Sequence, residues 1–309
     1  MPTPVTTFSL VVGTEACDGH CRFCVSAMTG YGSLPACRKI NKARFAKAAR
    51  FAQIGDTTTV LMTGKGEPTL YPDEVTEYLE LLLPWRFPFV EIQTNALRIG
   101  RLAAGEAAGN LTRETLERWH SYGLNTIAIS VVGVRPEHNR LVYADNYPDL
   151  ATTIAFLHDL KFSVRLCVMM HKGFVDGPES IEEVVRFCKT NAVEQLTIRP
   201  IRRPARSASG KHAEYTRDNG LSNGRVRAVR RWLDGPWWHL WWRRGRGTKL
   251  LTLRHGDTAL APVYDVDGQN LALADCLTVN SESDAIRTLI FYSDGAVKFD
   301  WQYQGARLL

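Results

Sequence analysis

The chain has 309 residues, 45% of them hydrophobic and 23% charged. That composition allows a sizeable core in one large domain or two ordinary ones and excludes disordered and fibrous classes. The formal net charge of +6 is uneven: between positions 199 and 254, fifteen Lys and Arg stand against three acidic residues, so the positive charge is a local feature and the remainder is net negative. No apolar run reaches the ~18 residues that span a bilayer. The first nine residues also lack the charged-then-apolar pattern of an export signal, which together predicts a cytoplasmic protein without membrane contact.

In chain order, residues 7–12, 57–62, 89–93, 126–131, 163–169 and 195–198 are short runs rich in Val, Ile, Leu and Thr and read as buried strands. Between them, residues 41–54, 73–83, 112–122, 147–160 and 178–190 carry apolar side chains at helical spacing, with Thr112 in N-cap position. This alternation implies a parallel sheet, which right-handed crossovers curl towards a barrel. Six units fall short of the eight of a closed barrel. The sequence therefore predicts an α/β fold with a partial (β/α)6 TIM-like barrel over residues 1–200. Residues 201–309 break the rhythm. A basic helix-like stretch at 225–233 and a Trp- and Arg-rich run at 236–247 predict a basic lid. Residues 288–292 and 296–301, joined by Ser293-Asp294-Gly295, predict a short C-terminal β-hairpin.

Seven cysteines form an odd set, and Cys17, Cys21 and Cys24 crowd into eight residues directly after the first strand. Such usage favours a metal site over a disulfide framework. Three thiolates can hold three irons of a cubane and leave the fourth open. They also suit a zinc ion, with His20 as a further ligand, and the spacing alone leaves both alternatives open, together with chance clustering.

Cys17, Cys21, Phe23 and Cys24 match the pattern C-x3-C-x-aromatic-C, and with it the sequence resembles the radical S-adenosylmethionine (SAM) superfamily. The resemblance implies one [4Fe-4S] cluster on Cys17, Cys21 and Cys24. Its open iron would chelate SAM, and an electron from a donor such as flavodoxin or ferredoxin would release a 5′-deoxyadenosyl radical that abstracts hydrogen from a substrate. Gly64-Lys65-Gly66-Glu67-Pro68 is similar to the GGEP motif, which implies that Gly64, Gly66 and Glu67 bind the SAM amino group; Lys65 departs from that motif. Asn95 and Ser130 fall where the family contacts ribose and carboxylate.

Residues 164–173 and 196–201 resemble the MoaA-like, peptide-modifying subgroup, which implies that Arg165 and Arg199 face SAM and substrate. That subgroup carries C-terminal cysteines for auxiliary clusters; here Cys276 stands alone, so those clusters are expected to be missing. Cys276 is a candidate hydrogen-atom donor, and Cys37, Cys167 and Cys188 are expected to be packing residues. Arg199, Arg202 and Arg203 follow the sixth strand and suit carboxylate or phosphate oxygens, and the tryptophans of residues 237–242 suit base stacking. The expected substrate is an anionic small molecule of nucleotide or nucleoside-like type. The alternatives are a peptide substrate and, in another class, a non-catalytic nucleic-acid-binding protein with a structural zinc.

Overall fold

The computed structural model describes residues 4–36, 38–234, 247–255, 258–275 and 286–309. Cys37, Cys276 and the Trp237–Trp242 core of the expected lid lie outside them. All six expected strands form: β1 (Val5–Val11), β2 (Thr59–Thr63), β3 (Phe89–Thr94), β4 (Thr126–Val131), β5 (Ser163–Met170) and β6 (Gln195–Pro200). They pair in parallel in that order. The five expected helices run Lys42–Ile54, Pro72–Leu82, Arg113–Ser121, Leu150–Asp159 and Pro178–Thr190. Thr112 caps its helix by accepting from the Thr115 amide, and Asn41 and Asp149 do the same for theirs, each satisfying an orphan donor of the first turn. Helices of five to seven residues, Val25–Thr29, Leu97–Ala103 and Pro136–Val142, are too short to show a helical period in the sequence.

The chain after β6 departs from the six-strand expectation. The helices Gly210–Asn219 and Asn223–Leu233 lead to β7 (Gly247–His255), β8 (Thr258–Val266), β9 (Gln269–Leu273), β10 (Ile286–Phe291) and β11 (Val297–Lys298). The sheet order is β11-β10-β1-β2-β3-β4-β5-β6-β9-β8-β7. β9 pairs in parallel with β6 and β10 in parallel with β1, so two strands from the C-terminal third extend the parallel barrel at its two edges. The expected hairpin is present as the antiparallel pair β10–β11, and Gly295 supplies the positive φ of 89° in its turn. β10 is anchored by more than its ladder. Phe291 meets Phe45 edge-to-face at 5.4 Å, Phe8 packs on Phe45 at 6.0 Å, and the Ser9 and Thr288 hydroxyls hydrogen-bond at 2.8 Å. No helix among the described residues is long and apolar enough to cross a membrane.

Candidate active site

A cavity of about 700 Å3 opens at the C-terminal ends of the parallel strands, where barrel active sites sit. Alternate residues of the strands point into it, among them Ser9, Thr63, Gln93, Ser130, Met169 and Arg199, as the two-residue period of a strand requires. The cysteine loop leaving β1 and the turn leaving β2 form one side of its mouth.

These two segments are in backbone contact. A Cβ on Gly66 would stand 2.1 Å from the Ala16 carbonyl oxygen, and one on Gly64 would stand 2.6 Å from that of Val12; only glycine permits either approach. The Glu67 amide donates to Ala16 O at 3.0 Å. The Glu67 carboxylate, 3% exposed, is surrounded by the protein's own donors. Oε1 accepts from the Thr69 amide (3.0 Å), Thr69 Oγ1 (2.8 Å) and Thr94 Oγ1 (2.6 Å), and Oε2 accepts from the Asn95 amide (2.9 Å). Burial raises its pKa, and these four bonds oppose the rise. Glu67 thus braces the turn against the end of β3, a positioning role with no local signature in the sequence.

Asn95 carries the brace on to the cysteines. Its Nδ2 donates to Asp18 Oδ1 at 2.8 Å and lies 3.8 Å from Cys17 Sγ, while its Oδ1 accepts from the Leu97 amide. Cys24 donates its amide to Cys21 O at 3.1 Å, a tight turn that opens the helix Val25–Thr29. Phe23, 6% exposed, packs edge-on against Tyr143 at 6.4 Å and so fixes the loop to the barrel. Burial and then the neighbouring Cys24 and Cys17 push the Cys21 thiol well above its ordinary range, so without a metal cation this thiol stays protonated.

The donor set, three thiols on one loop lining the cavity, fits a cubane. A cubane distributes its thiolates over separate irons, which suits a loop that bears Cys17, Cys21 and Cys24 on one cavity wall. Those three residues would hold it, and the Gly64–Pro68 turn packed on the same loop would meet the ligand of the open iron.

The structure gathers most of the expected site residues. Cys17, Cys21, Phe23, Cys24, Gly64, Gly66, Glu67, Asn95, Ser130, Arg199 and Arg202 all line the cavity, while Arg165 and Arg203 do not. Arg165 is instead paired with Glu91, Nη2 to Oε1 at 2.7 Å, both largely buried. A buried guanidinium is held by its carboxylate because leaving would strand both charges. Ser130 Oγ accepts from Gln93 Nε2 at 3.2 Å. Cys167 and Cys188 are buried packing residues, as expected. Lys65, Lys211, Arg287, Thr288 and Trp301 also line the cavity. Arg287 had one signal in the sequence, a cation inside an otherwise apolar β run. Its pKa is lowered, first by burial and then by the Arg199 guanidinium, against which Asp275 acts.

In comparison with solved structures, the chain is similar to SuiB of Streptococcus suis bound to S-adenosylmethionine, with a TM-score of 0.59 at 15% identity over 96% of this chain and 60% of that one. SuiB bound to the precursor peptide SuiA gives a TM-score of 0.54 at 15% identity, covering 100% and 62%. HydG, a maturase of the [FeFe]-hydrogenase, gives 0.50 at 12% identity, covering 74% and 49%. At these identities the likeness is one of fold, and the chain spans 60% of the length of SuiB. No protein with a curated description matches it in sequence. The Radical SAM superfamily model matches residues 11–188, more than half of the chain, and takes in the cysteine loop, the glycine turn and the four barrel strands β2 to β5. By this match the chain belongs to the radical SAM superfamily, whose members use a [4Fe-4S] cluster and S-adenosylmethionine.

Proposed function

We propose that this chain is a radical SAM enzyme that abstracts hydrogen from an anionic substrate of nucleotide or nucleoside-like type. When bound, the cluster and SAM supply a 5′-deoxyadenosyl radical, the hard step of the chemistry. The protein's own residues bind and orient. Cys17, Cys21 and Cys24 hold the cluster, the Gly64–Pro68 turn with the charge of Glu67 faces the SAM ammonium, and Asn95 and Ser130 border the SAM site. Arg199 and Arg202 take the anionic part of the substrate. Residues 1–200 then carry the cofactors, and residues 201–309 add the outer strands β9 and β10 and a basic segment on the substrate side.

The observation that carries this reading is the backbone contact of the glycine turn with the cysteine loop at the mouth of one cavity. The cationic side chains along the same cavity favour an anion. A peptide is the second reading, supported by the fold shared with SuiB, which has been crystallised with its precursor peptide. The test is anaerobic reconstitution with iron and sulfide, followed by reduction in the presence of SAM. Brown protein that yields 5′-deoxyadenosine is the expected result, and colourless protein that retains zinc would refute it. Substrate class is then read from which candidates, nucleotides or peptides, accelerate 5′-deoxyadenosine formation.

A further inference from the structure

Lys65 is the motif residue that none of these roles uses. It lies between Gly64 and Gly66, whose close approaches to Val12 O and Ala16 O fix the backbone on both sides, so the turn aims its side chain into the cavity. The residue is only 5% exposed. Its Nζ donates to Thr29 Oγ1 at 2.7 Å, and that hydroxyl is itself a donor to Val25 O. No carboxylate stands within ion-pair distance of Lys65 among the described residues. Among the described residues, one of its three N–H donors has a protein acceptor, and the centroid of the Trp301 ring lies 5.9 Å away. A buried ammonium without a counter-ion is costly, and burial already lowers its pKa to about 8. Cys24 acts against that lowering and Lys298 with it, and Arg199, Arg202 and Arg287 line the same cavity. A site that keeps such a cation at this cost is one whose missing partner is a ligand oxyanion.

We infer that Lys65, its Nζ held in place by the Thr29 hydroxyl, anchors an oxyanion of the substrate, a phosphate or a carboxylate, and so selects anionic substrates. The inference deepens the anionic-substrate reading above and rests on it. A lysine ammonium acts here as a point charge with rotatable donors, and Thr29, on the helix that follows Cys24, sets the anion close to the cluster loop.

The test is calorimetric titration of reconstituted full-length protein with inorganic pyrophosphate, and separately with acetate, at saturating SAM so that the cofactor's own carboxylate site is filled. Lys65→Met should weaken pyrophosphate binding at least tenfold, and Lys65→Arg should stay within about threefold of wild type. Tighter binding of pyrophosphate than of acetate assigns a phosphate, and the reverse assigns a carboxylate. In the wild-type protein, bound pyrophosphate should also slow reductive methylation of Lys65, read by mass spectrometry, which keeps the inference testable if the variants do not fold. Wild-type pyrophosphate affinity in Lys65→Met, absence of protection, or loss of SAM affinity with pyrophosphate binding intact would each overturn it. Anion binding needs no SAM cleavage. A protein that binds pyrophosphate through Lys65 but forms no cluster therefore refutes the enzyme reading alone, and a SAM-cleaving protein with unaltered Lys65→Met affinity refutes this inference alone.

Discussion

Thr94 Oγ1 donates a 2.6 Å hydrogen bond to Glu67 Oε1, joining the last residue of β3 to the turn that follows β2. With the Asn95 amide on Oε2, this makes one buried carboxylate the joint between two strand ends that the cysteine loop also touches.

Glu67→Gln places an amide NH2 against at least one of these donors, so a buried N–H or O–H loses its acceptor. The expected cost is on the order of 1–3 kcal/mol, read as a lower thermal midpoint, with weaker SAM binding because the turn is released from Asn95. Unchanged stability together with unchanged SAM affinity would show that the brace has no mechanical role.

Gly66→Ala sets a methyl group 2.1 Å from a backbone oxygen, a clash that only backbone movement relieves, typically at about 1–3 kcal/mol. Iron content after reconstitution should fall, since the displaced partner is the loop that holds the thiols. Gly210→Ala, where a Cβ meets nothing within 4 Å, is the matched control and should reconstitute like the wild type.

Any one of Cys17, Cys21 and Cys24 changed to Ala should abolish the cluster absorbance and SAM cleavage, because each iron lacks a substitute ligand. The wild type should bind about four iron and four sulfide per chain, one cubane. A count near eight would disprove the single-cluster reading.

Lys65 gives a pH-dependent signature in stability. Its folded pKa of about 8 lies below the 10.5 of free lysine. Below pH 8 both states carry the proton and the burial cost is fully present. Between about 8 and 10.5 the unfolded chain holds more protons, so stability rises with pH as the cost is relieved. Lys65→Met removes a cost on the order of 3 kcal/mol and should raise the thermal midpoint by a few degrees at pH 7 in phosphate-free buffer, with the gap closing towards pH 10. A midpoint below wild type at pH 7 would contradict this.

Arg202 lines the cavity and Arg203 does not, although they are adjacent in sequence. Arg202→Ala should weaken pyrophosphate binding by roughly tenfold, the loss of one charge-assisted bond at about 1.5–3 kcal/mol. Arg203→Ala should change it less than twofold. Equal effects would mean that the basic stretch acts as a diffuse field.

Short-range pattern carried much of this molecule into view. The six β runs, the five long helices, the Thr112 cap and the Ser293-Asp294-Gly295 turn depend on side chains within a few residues of one another. The Cys17-x3-Cys21-x2-Cys24 loop and the glycine turn were legible for the same reason, since each is a local solution to a local chemical need. What β9 and β10 pair with could not be read locally, because pairing to β6 and β1 spans 75 and some 280 positions respectively and is decided by which edges remain open once the barrel has curled. The same holds for the arginines. Arg165 and Arg199 both sit in β runs, yet Glu91 two strands away from β5 claims the first, while the second reaches the cavity. Charge partners across a barrel are a property of register and curvature, so the cysteine loop was written in the chain, while which cations pair with carboxylates and which line the cavity was decided only when the strands closed around it.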